Sequence, residues 1–449
     1  MANKFHDFDE PINRIGTDSF KWDYEGENGK YIPLGVADTD FKAPEEAIAA
    51  VRKRTEFGVY AYGALPQERF AASICNWYKK RYGLTVDPET IRHSQGLMTG
   101  ALWMILNAYT RPGDKVLIQA PVYHTFSIVI KGAGRFVESN DLVLEDGRYE
   151  MNFEDLEKKV ADPRVRIMLI CNPHNPVGRV WTKEELIKVA EICKKNNTIL
   201  VGDEIHGDIV YGEHKHTPLF SLSDDLTDNI VVMGSPSKTF NLACFYSAYV
   251  VIKNKALRDQ YNVVYDDFHF DYNYLGIEAL MACYNECDYY VDQQNEYFWK
   301  NIGVVRDFLA ENMPEVKMIE PEGTYLLWID FSAWNMEQDD LMNAFAEAGV
   351  RLNSGTNYGE CGKGYVRLNV ATQTAVLKKG LECIKVARDS HMASRPRTEN
   401  NPFAYGMRLL AVFYNEMEKN KDKISFIKSY QEIEKIFYKN VLRLYKDIL

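Results

Sequence analysis

Four short apolar runs separated by longer amphipathic stretches constrain the fold of this 449-residue chain most strongly. The runs are rich in β-branched and aliphatic residues, and each is too short to be a helix of ordinary length. They cover residues 115–119, 166–171, 198–202 and 230–233. Such alternation is typical of βαβ units, so it predicts an α/β fold with a mostly parallel central sheet flanked by helices.

Helix boundaries can be predicted in at least one of the amphipathic stretches, residues 182–196. Thr182 is suited to cap the helix, and Glu185 follows three residues later. A Thr and a Glu at this spacing are typical of a capping box, in which each side chain bonds the other residue's backbone N–H. The pattern therefore predicts a helix that begins just after Thr182.

Polar residues lie at or just past the ends of three predicted strands. They are Asn172, Asp203 and Ser235. Parallel strands present ligand-binding groups at their carboxyl ends, so we expect these three segments to converge on one edge of the sheet.

A lysine, Lys238, lies on the small-residue turn 234–241, between the run ending at Met233 and a further apolar run, 246–252. Burying an ammonium group without a partner is costly. A cofactor whose aldehyde condenses with the amine removes this cost, as pyridoxal phosphate (PLP) does. From the motif alone, a structural or surface lysine is an equal alternative.

Composition narrows the possible partners. The net charge of -11 argues against nucleic acid and anionic membranes, which select basic surfaces. No apolar run approaches the roughly 20 residues of a membrane span, and the first residues lack the apolar core of a secretory signal, so we expect a cytoplasmic protein.

The eight scattered cysteines are expected to be reduced and mostly in the core. Cys283 and Cys287 lack further ligands nearby, and no metal site is predicted.

Chain length predicts more than one domain. We expect an N-terminal segment, 1–45, that packs on a small domain or on a partner subunit. A large PLP-binding domain, 46–290, and a small α+β domain, 291–390, follow it. A helical extension, 391–449, ends the chain.

The extension differs from the rest in charge and pattern. Apolar residues at helical spacing in 403–417 and 424–449 predict a helical hairpin. The whole extension, 391–449, carries 11 Lys and Arg against 7 Asp and Glu, opposite in sign to the body, so it could dock on the body or on a protein partner. A packing element without activity is an equal alternative. The sequence His391–Ser394 is also typical of a cloning junction, so a fusion is one explanation of the extension.

A PLP enzyme needs an amine, an acid for the pyridine nitrogen, a donor for the phenolate oxygen and an aromatic face. Lys238 is the candidate amine, and Asp203 the acid, because a pyridinium stabilises a buried carboxylate. Asn175, on a proline-bounded turn, is the candidate donor, and Tyr123 the candidate face. Helix capping, turn formation and core packing are the structural alternatives for the last three.

Phosphate and substrate carboxylate also need binding groups. The turn 94–100, leading into an apolar helix over 101–109, can offer backbone N–H groups to a phosphate, with hydroxyls from Ser235 and Ser237. Arg367, on the predicted strand 364–370, can bind a carboxylate through two parallel hydrogen bonds. A surface ion pair is the alternative for Arg367.

Taken in order, these motifs resemble the fold-type I PLP enzymes of the aspartate aminotransferase superfamily. Within it, the chain resembles the MalY/PatB-type cystathionine β-lyases, which are carbon–sulfur lyases. The resemblance runs from residue 5 to about 388. Further segments that carry it are 8–10, 16–23, 36–41, 60–63, 321–328 and 352–355.

The resemblance implies a homodimer with active sites shared between subunits. It implies catalytic roles for Lys238, Tyr123 and Asp203. It implies cofactor contacts from Lys238, Asp203, Asn175, Tyr123, His206, Gly96, Leu97, Ser235, Ser237 and, toward the neighbouring subunit's phosphate, Tyr62. Substrate contacts are implied for Arg367, Ala37, Tyr62 and Asn175.

The implied function is a β-lyase that cleaves L-cystathionine or related cysteine thioethers to a thiol, pyruvate and ammonia. Two alternatives stay open. An aminotransferase would use the same residues, since fold does not decide reaction. A regulatory protein could keep PLP and use its C-terminal extension to bind a partner.

Several positions depart from the family pattern. Gly35 replaces a common tryptophan and Thr39 a methionine, both near the expected substrate entrance, so they bear on the choice of thioether. Cys244 replaces a glycine after the lysine, and Thr372 and Gln373 replace a Cys-Pro pair after the arginine strand.

Overall fold

The computed structural model describes residues 4–268 and 272–394. The predicted helical hairpin of 403–417 and 424–449 lies outside the described residues. The strands are β1 Ile32–Pro33, β2 Ile91–Gln95, β3 Lys115–Ile118, β4 Phe136–Ser139, β5 Val143–Glu145, β6 Arg148–Glu150, β7 Val165–Cys171, β8 Ile199–Asp203, β9 Ile230–Gly234, β10 Ser247–Val251, β11 Lys317–Met318, β12 Leu326–Asp330, β13 Val350–Arg351, β14 Asn353–Ser354 and β15 Tyr365–Asn369. The helices are α1 Glu45–Glu56, α2 Gln67–Tyr82, α3 Trp103–Tyr109, α4 Thr125–Gly132, α5 Phe153–Val160, α6 Lys183–Lys195, α7 Asp224–Thr227, α8 Lys255–Asp267, α9 Tyr274–Glu286, α10 Asp288–Asn312, α11 Gln338–Glu347 and α12 Thr374–Ser394.

The central sheet has seven strands in the order β2-β10-β9-β8-β7-β3-β4. Neighbouring strands from β9 to β4 pair in parallel, and β10 alone runs antiparallel to both of its neighbours. The four predicted apolar runs are β3, β7, β8 and β9, each within a residue or so of its predicted bounds. Helices cover both faces of the sheet, which explains why its strands are apolar throughout. The α/β prediction is confirmed.

The capping box predicted for α6 is present. The Thr182 hydroxyl accepts a hydrogen bond from the Glu185 backbone N–H at 3.2 Å, and the Glu185 carboxylate accepts one from the Thr182 N–H at 2.7 Å. Such a cap stabilises a helix by about 1 kcal/mol. It fixes the start of α6, which then buries Leu186, Val189 and Cys193.

The helix after β2 begins earlier than the sequence pattern indicates. Residues 94 and 95 belong to β2, and Gly96 alone connects the strand to a π-helical turn, Leu97–Leu102, that continues into α3. Gly96 has φ +75°, which glycine adopts without strain. At Gly100 a Cβ atom would lie 2.4 Å from the Ser94 Oγ, so only glycine allows the helix to start this close to the strand.

A second, antiparallel sheet has the order β11-β12-β15-β14 and carries Arg367 on β15. Part of the N-terminal segment pairs with the same region, because β1 runs parallel to β13. The division into large and small domains stays a prediction. Among the described residues, no helix has the length and apolar character needed to cross a membrane.

A cluster of charged groups anchors the N-terminal segment. Lys21 is fully buried, and its Nζ lies 2.8 Å from Asp40 Oδ2. Arg14 bonds the other Asp40 oxygen at 2.7 Å and also pairs with Asp38. Trp22 donates its indole N–H to Asp40. Since Asp38 and Asp40 belong to the segment that also contains Ala37, the cluster fixes the position of Ala37.

The cysteines are less uniformly buried than expected. Four are buried, and two are partly buried. Cys244 and Cys361 are exposed, so the core prediction is wrong for them. Each lies in a short 3-10 turn on a loop, Ala243–Phe245 and Glu360–Gly362, where the chain runs over the surface.

Candidate active site

A cavity of about 640 Å³ lies at the carboxyl ends of β7, β8 and β9. This is the edge at which a parallel sheet is expected to bind ligands. All predicted site residues except one line it: Ala37, Gly96, Leu97, Tyr123, Asn175, Asp203, His206, Ser235, Ser237, Lys238 and Arg367. The exception is Tyr62, which is 97% exposed and does not line the cavity. Asn172 reaches the same edge, but its side-chain oxygen accepts a hydrogen bond from the Trp181 backbone N–H instead.

Lys238 projects into the cavity from the turn that follows β9. Its Nζ donates a hydrogen bond to the Ala37 carbonyl at 2.6 Å, and no carboxylate of the described residues forms an ion pair with it. The next residue, Thr239, anchors the turn by donating to Asp208 Oδ2 at 2.9 Å. Desolvation lowers the pKa of Lys238 to about 8, with Asp38 opposing this shift and Arg367 adding to it. The amine is therefore neutral in an appreciable fraction of molecules near neutral pH.

Asp203 ends β8 and is 2% exposed. Its Oδ1 accepts a hydrogen bond from the Ile205 backbone N–H at 3.1 Å. Desolvation raises the pKa of Asp203 to about 7, although the Ile205 N–H and the Lys238 charge partly oppose the shift. A cation placed beside Asp203 would restore its ionised form.

His206 lies three residues beyond Asp203, buried against Tyr325 with ring centroids 5.6 Å apart. Burial lowers the pKa of His206 well below its usual value, and the charges of Lys238 and Arg367 add to this. The ring is therefore neutral. Its Nδ1 is buried and has no hydrogen-bond partner among the described residues. A buried polar atom in this state calls for a ligand partner.

Arg367 is 3% exposed, so the surface ion-pair interpretation is wrong. Its Nη1 donates to Asn175 Oδ1 at 3.1 Å and its Nη2 to the Gly35 carbonyl at 2.7 Å. Because a guanidinium only donates, the Asn175 oxygen must face it, which leaves the Asn175 NH2 group free to donate into the cavity. The Tyr358 ring lies 5.1 Å from the guanidinium carbon.

No carboxylate among the described side chains pairs with Arg367, and its Nε has no hydrogen-bond partner there. A buried guanidinium without a counter-ion is costly. A ligand carboxylate would supply both the missing charge and the missing acceptor.

The opposite end of the cavity offers hydrogen-bond donors. The π-helical turn that begins at Leu97 directs its first backbone N–H groups toward the N-terminal end, where helices bind anions. Two serine hydroxyls complete this end. The Ser235 and Ser237 Oγ atoms lie 3.0 Å apart, and Ser235 also donates to the Ser247 carbonyl at 2.8 Å.

Tyr123 lines the cavity wall and packs edge-on against Phe126 at 5.7 Å. Its ring is thus held by the core while one face borders the cavity. Taken with the donors, the carboxylate and the amine, this arrangement fits a pyridine aldehyde that carries a phosphate.

Several lining residues had no role assigned from the sequence. They include Phe20, Glu25, His124, Tyr246, Asn353 and Asn357. Most of them come from loops and short turns, and Asn353 from the two-residue strand β14, so hydrophobic periodicity did not single them out. Tyr246, for example, enters the cavity wall because its backbone adopts φ +48° at the end of a 3-10 turn.

Two of the departures from the family pattern, Gly35 and Gln373, have local explanations. A Cβ atom at Gly35 would lie 3.0 Å from the Asn353 backbone N, and the Gly35 carbonyl accepts hydrogen bonds from both Arg367 and Asn353. Thr39 is buried and does not line the cavity, and its place near the substrate entrance stays a prediction. Gln373 braces the N-terminal segment, because its amide donates to the Glu10 and Asp40 carbonyls.

Comparisons with known proteins agree with this geometry. The family model for aminotransferase class I and II matches residues 29–384. Cystathionine beta-lyase PatB of Bacillus subtilis is 39% identical over 385 residues, which are 85% of this chain and 99% of that protein. The crystal structure of cystalysin from Treponema denticola, which contains pyridoxal 5'-phosphate, is similar at a TM-score of 0.83 and 33% identity, covering 86% of this chain and 100% of that one. The PLP-bound C-S lyase of Staphylococcus hominis is similar at a TM-score of 0.79 and 31% identity, covering 88% and 100%.

Proposed function

The chain belongs to the class I and II aminotransferase family, and from this premise we propose that it is a PLP-dependent carbon–sulfur β-lyase. It cleaves L-cystathionine or related cysteine thioethers to a thiol, pyruvate and ammonia. The meeting of three groups in one cavity carries the PLP chemistry: the Lys238 amine, the Asp203 carboxyl and the Arg367 guanidinium, which has no carboxylate partner among the described residues. The choice of β-elimination over amino transfer is supported by the similarity to cystathionine beta-lyase PatB and to a PLP-bound C-S lyase.

Residues of this chain would hold PLP both at its pyridine ring and at its phosphate. Asp203 would face the pyridine nitrogen, whose positive charge reverses the raised pKa of that carboxyl. The Asn175 NH2 group would donate to the phenolate oxygen, and Tyr123 would pack on the ring. Phosphate contacts would come from Gly96, Leu97, Ser235 and Ser237, and His206 would add a further cofactor contact.

Bound PLP supplies an electron sink for negative charge that develops at the substrate Cα. Arg367 binds the α-carboxylate and orients the substrate, with Ala37 and Asn175 beside it. Lys238 is the base that takes the Cα proton, and its lowered pKa keeps the amine available for this step. Once protonated, Nζ can donate to the Ala37 carbonyl, which lies 2.6 Å away.

A homodimer with shared active sites is part of the proposal. The loop before α2 exposes a run of apolar and aromatic side chains, with Phe57 65%, Val59 53%, Tyr60 75% and Tyr62 97% exposed. Such a run favours burial against another protein surface. In a second copy, Tyr62 would reach the neighbouring cavity and contact phosphate and substrate.

A cytoplasmic location, and a role of residues 391–449 in binding a partner, stay predictions.

The test is pyruvate release from L-cystathionine by the PLP-loaded protein without any keto-acid acceptor. We expect many turnovers per active site, measured by coupling pyruvate to lactate dehydrogenase and NADH. The matched control is L-2-aminobutyrate, which has no leaving group at Cβ and should release no keto acid under these conditions. Absence of pyruvate, together with amino transfer to added keto acids, would replace the proposal with the aminotransferase alternative.

A further inference from the structure

We propose that Glu25 selects thioethers whose leaving thiol carries an ammonium group. The proposal rests on the proposed β-lyase function and names the residue that recognises the distal ammonium of the leaving thiol. In the reaction the Cβ–S bond breaks, the sulfur keeps the bonding pair and leaves as thiolate, and Lys238 takes the Cα proton. The distal ammonium is unchanged, so Glu25 acts in recognition only.

Glu25 ends the π-helical turn Phe20–Glu25, and both of these end residues line the cavity. Ser19 caps the turn by accepting from the Trp22 backbone N–H. Lys21 within it is buried in the ion cluster described above. The turn is thus anchored on its inner side, which holds Glu25 at the cavity.

The charge of Glu25 is not compensated by any side chain in the described part of the chain. Glu25 is partly buried, and no side chain of residues 4–268 or 272–394 forms a hydrogen bond or ion pair with its carboxylate. Two acidic neighbours contrast with it. Asp23 accepts backbone N–H groups of Gly16 and Thr17, and Glu27 pairs with Lys30 at 2.8 Å and also with Arg351. A partly desolvated carboxylate without a partner gains free energy when a ligand cation pairs with it.

The remaining charged lining groups already have roles or partners. Asp38 is paired with Arg14, and Lys238, Asp203 and Arg367 belong to the proposed catalytic centre. The His124 ring has its pKa lowered by burial, and the Arg367 charge adds to this, so it is neutral. Among the lining residues no cation is left for an anionic leaving group, whereas Glu25 is left for a cationic one. Phe20, at the other end of the same turn, also lines the cavity and offers an aromatic surface to the methylene groups of the thiol.

The test compares two isosteric thioethers, S-(2-aminoethyl)-L-cysteine and S-propyl-L-cysteine, with the PLP-loaded enzyme. We expect kcat/KM for the aminoethyl compound to be about tenfold higher, as for one hydrogen bond to a charged group. Glu25→Gln keeps the shape and removes the charge, so the two values should become about equal. Glu27→Gln removes the same charge two residues away, outside the cavity, and should keep the preference.

A second readout does not depend on turnover. L-lysine and L-2-aminoheptanoate match the two thioethers in length but lack a leaving group. Titrating the cofactor absorbance should give a dissociation constant about tenfold lower for L-lysine, and Glu25→Gln should remove this difference.

Equal dissociation constants for L-lysine and L-2-aminoheptanoate in the unaltered protein would overturn the proposal. Loss of the preference for the ammonium-bearing compound in Glu27→Gln as well would also overturn it. Absence of pyruvate from both thioethers would count against the β-lyase function instead. The lysine titration would then still decide the role of Glu25.

Discussion

Two lysines, Lys21 and Lys238, both contact the segment 36–40 but have opposite surroundings. Lys21 is fully buried, with Asp40 at 2.8 Å and Asp38 at 3.6 Å. Lys238 has the Ala37 carbonyl as its direct partner, and its pKa is lowered to about 8. Contact with carboxylates makes the first lysine structural, whereas their absence from direct contact leaves the second ready to react.

The carboxylates differ in the same way. Burial alone would raise the pKa of Asp40, but Lys21, Trp22 and Arg14 lower it below its usual value. Asp203 has no such cation in direct contact among the residues that the structure describes, and its pKa is raised to about 7. The Asp40 carboxylate is therefore compensated by cations of the described chain. The charges of the cavity groups are compensated only when ligands bind there.

The largest effect is expected at Lys238. Lys238→Ala removes the base and the covalent anchor, so pyruvate release should fall by about 10⁴-fold, as measured in the coupled assay. Urea unfolding of the cofactor-free variant should show no loss of stability, because no ion pair is broken. A variant that retains pyruvate release would show that Lys238 is not the base.

Lys21→Met tests the structural side of the comparison. It leaves Asp40 buried with fewer cations, and breaking such a pair should cost about 3 kcal/mol in the free energy of unfolding. Urea denaturation measures this loss. Adding Asp40→Asn should recover part of it, since the uncompensated charge is then gone. Unchanged stability in Lys21→Met would mean that the cluster is not needed to hold the N-terminal segment.

Asp203→Asn tests the ligand-dependent side through pH. The carboxyl titrates near pH 4 when unfolded and near pH 7 when folded, so the folded state binds more protons between these values. Stability of the cofactor-free protein should therefore fall as pH rises through this window. Relative to Asp203→Asn, the loss from pH 5 to pH 7 should be about 2 kcal/mol in urea unfolding. Parallel pH profiles for the two proteins would contradict the raised pKa.

Much of the cavity could be predicted from the sequence because short-range patterns define it. Apolar runs identified the central strands, and the rule for parallel sheets then brought Asp203 and Ser235 to one edge. The small-residue turn marked Lys238. The early helix start at Leu97 could not be predicted, because it depends on how closely Gly100 approaches Ser94 in space. The place of Glu25 in the cavity could not be predicted either, because a six-residue π-helical turn is too short to give a periodic sequence pattern.

What the sequence by itself determined is local: the strands, the α6 cap, the glycine before Leu97 and the turn that carries Lys238. The tertiary structure alone decided the chemical state of the site, because that state depends on distant partners. Lys238 bonds a carbonyl 201 positions away, and Arg367 bonds Asn175 and Gly35 across 192 and 332 positions. Burial of Lys238 and Asp203 in one cavity sets their pKa values, since desolvation depends on every element that surrounds them.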